Sequence, residues 1–171
     1  GSIVFPLKNK KDKISGLYFR AVEPRPGKFK DRYYEPHLYL KNRQGLYPCY
    51  PKPGTKTLLI TESIIDCATL QQIPEITDHY GLLSSYGTNG ITEEHRAAIK
   101  ELKEPEEIII FFDGDGAGRE GARKAAEELQ QLLPQVKISI VETPEGEDIN
   151  SLSIGHEPGI FMELINNRKP F

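Results

Sequence analysis

The sequence predicts an α/β fold in which helices cover both faces of a parallel sheet, preceded by a small antiparallel β unit. From residue 57 onward, short apolar segments alternate with segments of helical periodicity, which is typical of right-handed crossovers between parallel strands. The apolar run 108–112 holds three isoleucines and two phenylalanines, which indicates a strand buried on both faces. Before residue 45, apolar and polar residues alternate over short segments, which favours antiparallel strands.

Each element is predicted from its local pattern. Alternating residues indicate strands near 3–7, 14–22 and 36–42. Repeated prolines exclude regular structure from the segment 48–54. The following part is predicted to contain strands at 57–61, 80–84, 107–112 and 136–142 and helices at 63–72, 92–103, 117–132 and 159–166. We therefore expect two domains, a basic β-rich part at 3–55 and an α/β domain at 56–171.

The charged residues are divided unevenly along the chain. Residues 1–56 contain 13 Lys and Arg against 4 Asp and Glu, a net charge of +9, whereas residues 57–171 contain 9 against 21, a net charge of −12. A basic surface follows a phosphate backbone and an acidic pocket holds divalent cations. We expect the basic part to bind single-stranded DNA through Lys10, Lys11, Lys13, Arg20 and Lys28. A lysine-rich solvated surface without a partner is the alternative.

Two aspartates one residue apart, Asp113 and Asp115, directly follow the apolar run 108–112. Ligands bind at the carboxyl ends of parallel strands. Two carboxylates placed there repel each other unless a cation or a proton lies between them. Magnesium typically takes one or two carboxylates together with waters and substrate phosphates. The pattern predicts a magnesium site for phosphate chemistry, with a solvated turn of no function as the alternative.

Two further predicted strands also end in acidic residues. Glu62 follows the strand 57–61, and Asp66 comes four residues later on a helix that Ser63 can cap. The strand 136–142 leads into an acidic segment that ends at Asp148. Since the carboxyl ends of parallel strands meet at one edge of the sheet, the three strand ends predict a shared acidic pocket.

These residues resemble the TOPRIM domain and, within that superfamily, the bacterial DnaG-type primases. Glu62 resembles the glutamate after the first TOPRIM strand, and Asp113-Gly-Asp115 resembles the Asp-x-Asp after the third. Segments that resemble the primase branch in particular are Glu62-x-x-x-Asp66, Ser85-Tyr-Gly-Thr88, Thr92-Glu-Glu-His95, 112–119 and Pro144-Glu-Gly-Glu-Asp148. The primase pattern closes with Asp-Pro-Asp, whereas this chain has Asp148-Ile-Asn150. Because a neutral amide is a weaker metal ligand, this difference predicts a looser site.

The resemblance implies a catalytic-core fragment of a DNA primase, with a Rossmann-like TOPRIM sheet. Such an enzyme is a nucleotidyltransferase that makes RNA primers from NTPs on a single-stranded DNA template, with Mg²⁺ or Mn²⁺. It implies catalytic roles for Glu62, Asp113 and Asp115, and metal ligation by the same three residues together with Asp66 and Asp148. Nucleotide or phosphate contacts are implied for Arg119, Ser85, Gly87 and Thr88. An equal alternative for Arg119 is that it pairs with a carboxylate. An equal alternative for the other three residues is that they form a purely structural turn.

The resemblance also implies a partnership with the replicative helicase through modules that lie outside this chain. Two other functions stay open: a TOPRIM nuclease that hydrolyses phosphodiesters with the same metals, and a non-catalytic nucleic-acid-binding TOPRIM module. No apolar run reaches membrane-spanning length. Cys49 and Cys67 show neither a CxxC motif nor zinc-ligand spacing. We therefore expect a cytoplasmic protein that contacts no membrane.

Overall fold

Residues 1–50 and residues 51–171 form two separate units in the computed structural model, which describes residues 1–22, 37–40 and 43–171. We call them the β unit and the α/β unit. The domain boundary that we placed between residues 55 and 56 stays a prediction. Neither cysteine forms a disulfide, and Cys67 is buried.

The β unit contains an antiparallel sheet of three strands. These are β1 (Ser2–Lys8), β2 (Ile14–Ala21) and β3 (His37–Tyr39), in the order β1-β2-β3. The turn between β1 and β2 is stabilised by the side-chain oxygen of Asn9, which accepts hydrogen bonds from the backbone N–H groups of Lys11 and Lys13 at 2.9 and 3.2 Å. Among the residues of this unit that the structure describes, the buried apolar ones are Leu7, Tyr18 and Leu46.

The α/β unit is built on a sheet of five strands. Its members are β4 (Thr57–Thr61), β5 (Gly81–Ser84), β6 (Glu107–Phe111), β7 (Lys137–Ile140) and β8 (Lys169–Pro170). The order is β5-β4-β6-β7-β8, and only β8 runs antiparallel to its neighbour. All five residues of β6 are buried, as expected of a central parallel strand. This architecture confirms the predicted fold class.

Six helices accompany this sheet in the described part of the chain. They are α1 (Ile64–Leu70), α2 (Pro74–Thr77), α3 (Glu93–Lys100), α4 (Gly116–Leu132), α5 (Ile149–Gly155) and α6 (Gly159–Asn166). The sequence pattern did not predict α2, α5 or the strand β8, all of which are short. None of the helices in the described residues is both long enough and apolar enough to cross a membrane.

At the edge of the sheet where β6 begins, Glu107 forms a paired charge. The side chain is 10% exposed, and its two oxygens accept hydrogen bonds at 2.7 Å from the Nε and Nη2 atoms of Arg168. The Ser139 hydroxyl donates to it at 2.6 Å. The hydrogen bonds from Arg168 are the main reason that the pKa of Glu107 is lowered to about 2. This contact ties β6 and β7 to the residues that follow α6.

Candidate active site

At the opposite edge of the sheet, the strands end in carboxylates, as the sequence predicted. Glu62 follows β4, Asp113 follows β6, and Asp148 comes after β7 at the beginning of α5. Glu62 and Asp113 are directly linked, since the backbone N–H of Asp113 donates to Oε2 of Glu62 at 3.3 Å. Together with Asp66 and Asp115, these residues form what we call the acidic edge.

Three carboxylates of the acidic edge, those of Glu62, Asp66 and Asp113, have raised pKa values, first through burial and then through neighbouring charges. Burial, and next the charge of Asp113, raises the pKa of Glu62 to about 7. Burial also raises the pKa of Asp113 to about 7, helped by the charges of Asp66, Asp148 and Asp115. The pKa of Asp66 rises to about 6, mainly through burial. Ionising this edge is therefore costly, and a bound cation would offset the cost.

Three acidic residues of this edge also cap helices. Asp115 begins α4, and its Oδ1 accepts the N–H of Gly118 at 2.6 Å. Asp148 begins α5 in the same way, with the N–H of Ser151 at 2.6 Å. The carboxylate of Asp66 accepts the N–H of Ser63 in the capping box of α1. The three-residue spacing of such caps was present in the sequence, but these residues were predicted as metal ligands, and Asp115 also as catalytic, and not as caps.

Within residues 1–22, 37–40 and 43–171, no three His, Cys, Asp or Glu side chains are placed so that they could jointly hold a metal ion. The oxygen-rich, mutually repelling donor set of the acidic edge nevertheless fits a hard divalent cation. Magnesium needs only one or two protein carboxylates, because waters and substrate phosphates complete its shell. Glu62 and Asp113 could take that role, because the other three carboxylates of this edge accept capping hydrogen bonds from helix N–H groups.

Glycine 114 fixes the loop that carries Asp113 and Asp115. Its N–H donates to the carbonyl of Glu147 at 2.8 Å, and its carbonyl accepts the N–H of Gly146 at 3.4 Å. A Cβ atom at position 114 would lie 1.8 Å from the carbonyl oxygen of Pro144. Only glycine therefore fits here, and the loop after β6 is attached to the loop after β7.

The turn 85–88 supports the backbone of Glu62. The Ser85 hydroxyl is buried and lies 2.9 Å from the carbonyl oxygen of Glu62, and the N–H of Gly87 donates to the same carbonyl at 2.9 Å. Thr88 lies against α4, where a Cβ at Gly121 would come within 2.7 Å of it. The structure thus gives the turn a supporting contact to Glu62, and its contact with phosphates stays a prediction.

Buried His95 contacts the backbone directly before this turn. Its Nε2 lies 2.9 Å from the carbonyl oxygen of Ser84, and its Nδ1 lies 2.7 Å from the hydroxyl of Thr92. Burial lowers the pKa of His95 to about 4. The histidine of the primase-like segment Thr92–His95 is therefore neutral near pH 7 and belongs to the core.

Arg119 lies on α4 beside the acidic edge. Its side chain is exposed and helps to line a groove of about 460 Å³ together with Phe112, Asp113 and Glu142. None of the ion pairs among the described residues involves its guanidinium. Of the two alternatives for Arg119, the structure therefore lacks the pairing with a carboxylate, and the phosphate contact stays a prediction.

Asn150 bridges two side chains of α1. Its Nδ2 donates to Oδ1 of Asp66 at 2.8 Å, and its Oδ1 accepts the hydroxyl of Thr69 at 2.6 Å. The other oxygen of Asp66 accepts hydrogen bonds from the N–H and hydroxyl of Ser63 at 3.1 and 2.6 Å. Asp66 is 2% exposed. Its carboxylate is thus committed to hydrogen bonds within the protein, and sequence analysis gave no sign of this network.

The predicted DNA-binding residues lie in the β unit. Lys10, Lys11 and Lys13 occupy the exposed turn between β1 and β2. Arg20 lies on β2, and its Nη1 is 2.9 Å from Nδ1 of His37 on β3. Lys28 lies outside the described residues. The assignment of these five residues to DNA binding stays a prediction.

Comparison with known proteins shows the family to which this chain belongs. Residues 59–153 match the Toprim-like family, and the chain belongs to it. Its similarity to DNA primases extends further: the DNA primase of Neisseria meningitidis is 28% identical over 177 residues, which cover 98% of this chain and 28% of that protein. A DNA helicase/primase of enterobacteria phage T3 is 30% identical over 119 residues, covering 69% of this chain and 20% of that protein.

A solved structure supports the fold over the whole chain. The DnaG primase catalytic domain bound to ssDNA matches with a TM-score of 0.73 at 22% identity, covering 99% of this chain and 52% of that chain. These findings confirm the resemblance to the TOPRIM domain of DnaG-type primases. The chain spans less than a third of the length of the two primase relatives, 28% and 20%.

Proposed function

We propose that this chain is part of the catalytic core of a DNA primase and contributes its metal-binding acidic edge. The reaction is the transfer of a ribonucleotide from an NTP to a 3′-hydroxyl group on a single-stranded DNA template, with Mg²⁺ or Mn²⁺. The observation that carries the proposal is the pair Glu62 and Asp113, joined by a hydrogen bond at the carboxyl ends of β4 and β6, each with a pKa raised to about 7. The similarity to DNA primases over 98% of the chain supplies the reaction class.

The residues of the acidic edge have distinct roles in this proposal. Glu62 and Asp113 hold the divalent cation, and Asp115 and Asp148 add oxygen ligands when they release their helix caps or use their second oxygen. Bound divalent cations stabilise the attacking oxygen and the departing pyrophosphate. Glu62 holds metal or relays the proton of the 3′-hydroxyl group.

Arg119 and the turn 85–88 are proposed to receive the triphosphate. The exposed guanidinium of Arg119 lies on the groove that also includes Asp113, so it can contact phosphates that a cation draws to this carboxylate. Gly87 and Thr88 are partly exposed, whereas the buried Ser85 acts through the backbone of Glu62. Positioning the reacting groups in line is the main contribution of such residues.

The β unit is proposed to bind the template strand. Support comes from the charge of this unit, since residues 1–50 contain 11 Lys and Arg against 4 Asp and Glu, a net charge of +7, and from the similar DnaG domain that was solved with ssDNA. A helicase partner, reached through modules outside this chain, is supported by the phage relative, which is a DNA helicase/primase. Since the chain covers less than a third of the primase relatives, it need not perform the whole reaction alone.

The test uses labelled NTPs, a single-stranded DNA template and Mn²⁺, with products separated on a denaturing gel. We expect Mn²⁺-dependent NTP binding, weak or undetectable primer synthesis and no preference for an initiation sequence. Asp113→Asn should remove NTP binding, while Glu145→Gln, an exposed change nearby, should not. Shortened DNA instead of bound NTP would contradict the proposal and favour the nuclease. NTP binding without Mn²⁺ would contradict the role of the acidic edge.

DNA binding is tested separately by fluorescence anisotropy at several salt concentrations. Replacing Lys10, Lys11 and Lys13 by glutamate should weaken binding to single-stranded DNA and reduce its salt dependence, because fewer counterions are released. Replacing three exposed lysines of the α/β unit, Lys100, Lys103 and Lys124, by glutamate is the matched control. Equal losses in both variants would show that net charge alone, and not the turn between β1 and β2, attracts DNA.

A further inference from the structure

We propose that Asn150 is a positioning residue, which fixes α5 to α1 and thereby sets where Asp148 stands relative to Glu62 and Asp113. The observation is a chain of hydrogen bonds that joins Thr69, Asn150, Asp66 and Ser63. Asn150 lies in the first turn of α5, whose cap is Asp148. Asp66 and Thr69 lie on α1, directly after Glu62.

The chemistry of an amide explains why this bridge has one orientation. An ionised Asp66 only accepts hydrogen bonds, so it requires the amide nitrogen of Asn150. The amide oxygen then faces Thr69, whose hydroxyl donates to it. An aspartate at position 150 has no donor when ionised and would bring a second negative charge to hydrogen-bond distance of Asp66. Asparagine therefore fits this position, whereas the isosteric carboxylate repels its neighbour.

The bridge also determines which carboxylates a cation can reach. Both oxygens of Asp66 accept hydrogen bonds from protein donors, and the side chain is 2% exposed. Asp66 therefore acts on the cation only as a nearby negative charge and as an anchor for α5. Glu62, Asp113, Asp115 and Asp148 remain as the carboxylates that can turn toward a ligand. Partners that orient the ligands of a metal commonly change its affinity when they are mutated.

The metal-affinity part of this inference rests on the proposed function, and the first measurement tests it. Mn²⁺ is titrated calorimetrically into the wild type, Asn150→Ala, Thr69→Val and Thr77→Val. We expect Asn150→Ala to weaken Mn²⁺ binding by roughly 10–100-fold and Thr69→Val to weaken it less. Thr77→Val is the matched control, because the Thr77 hydroxyl contacts only carbonyl oxygens of its own helix region. Asn150→Ala with wild-type affinity would overturn the inference.

The second measurement needs no metal and separates the two ideas. In the metal-free protein, hydrogen exchange of the Ser151 and Leu152 amides reports the attachment of α5, because both amides donate to Asp148. Asn150→Ala and Thr69→Val should accelerate this exchange, and Thr77→Val should not. Unchanged exchange in both bridge variants would overturn the inference even if the wild type bound no Mn²⁺. If both bridge variants show accelerated exchange but the wild type binds no Mn²⁺, the proposed function alone is rejected.

A third variant, Asn150→Asp, tests the charge argument directly. Without metal, its unfolding temperature should lie below that of the wild type, because two carboxylates face each other in a buried place. Saturating Mn²⁺ should close part of this gap, since the cation offsets the added charge. An Asn150→Asp protein as stable as the wild type in a chelator would contradict the proposed bridge.

Discussion

The two ends of β6 carry carboxylates in opposite electrostatic states. At its start, Glu107 meets the guanidinium of Arg168, and its pKa is lowered to about 2. At its end, Asp113 meets only further carboxylates among the charges that shift it, and its pKa is raised to about 7. Glu107, at the start of the strand, thus stabilises the fold in its ionised form. Asp113, at the end of the strand, has a negative charge that the fold does not compensate and that a cation would offset.

The comparison shows how structure and function divide one sheet. A paired carboxylate contributes stability by itself and has no capacity left for a ligand. An ionised, half-buried carboxylate without a positively charged partner lowers the stability of the fold, and binding of a positive charge relieves this cost. Substitutions at the two ends of β6 should therefore change the stability of the protein in opposite directions.

The largest effect is expected for the double change Asp113→Asn and Asp115→Asn. Mn²⁺ affinity should fall by at least about 100-fold, because even partners outside the metal shell contribute 10–100-fold. The free energy of unfolding without metal should stay equal or rise, because like-charge repulsion is relieved. Calorimetric titration and urea unfolding in a chelator measure the two quantities. Equal Mn²⁺ affinity in the variant and the wild type would reject the site.

Next in size is Arg168→Ala at the other end of the strand. Removing one partner of a largely buried ion pair should lower the free energy of unfolding by about 2–4 kcal/mol. Arg123→Ala is the matched control, since Arg123 pairs with Glu120 and Glu127 on the exposed face of α4 and its loss should change the free energy of unfolding much less. Urea unfolding measures both variants, and similar losses would show that the pair at Glu107 is no stronger than a surface pair.

The pH dependence of stability should separate the two ends. Glu62 and Asp113 have folded pKa values of about 7, above the ordinary 4.5 and 3.8, so their contribution is lost as the pH rises from about 4 to 7. Glu107 has a folded pKa of about 2, so its contribution is present above about 4.5 and is lost as the pH falls toward 2.

Thermal unfolding in a chelator and in Mg²⁺ between pH 3 and 8 tests this sign. Without metal, the unfolding temperature should fall at both ends of the range, and Mg²⁺ should remove only the loss that occurs as the pH rises from about 4 to 7. Asp113→Asn should show a smaller loss over this rise than the wild type. A loss with rising pH that Mg²⁺ leaves unchanged would mean that the acidic edge binds no cation.

The smallest effect is expected for the cap of α4. Asp115→Ala should lose about 1 kcal/mol relative to Asp115→Asn, because asparagine still accepts the N–H of Gly118 whereas alanine does not. Both changes remove the same charge, so the difference isolates the cap from the repulsion. Urea unfolding without metal is the measurement. Equal stability of the two variants would show that Asp115 does not hold the helix.

The sequence was informative where a pattern is local and failed where tertiary contacts decide. The strand β4 and the helix α6 were predicted with their observed bounds, because apolar periodicity and flanking residues define both. The helix α5 was missed, because its seven residues have little helical propensity of their own and depend on the Asp148 cap and on buried Ile149 and Leu152. Position at strand ends predicted the acidic edge, since parallel topology alone brings those residues together.

The hydrogen bonds between residues far apart in the sequence could not be predicted from it. The bridge from Asn150 to Asp66 joins residues 84 positions apart, and no local pattern signals it. The pairing of Glu107 with Arg168, at the opposite edge of the sheet, spans 61 positions and is likewise without a local pattern. The caps formed by Asp115 and Asp148 could have been predicted from their spacing to Gly118 and Ser151.

The attachment of Gly114 to the loop after β7 also governs how this protein can tolerate substitution. The backbone of residue 114 is bonded to residues 146 and 147, so the loops after β6 and β7 shift together or not at all. Exposed Glu145 directly precedes the two attachment points, so we expect substitutions of its side chain to be tolerated. Any side chain at 114 would instead separate the loops and displace Asp113 from Asp148 without altering a single charged residue.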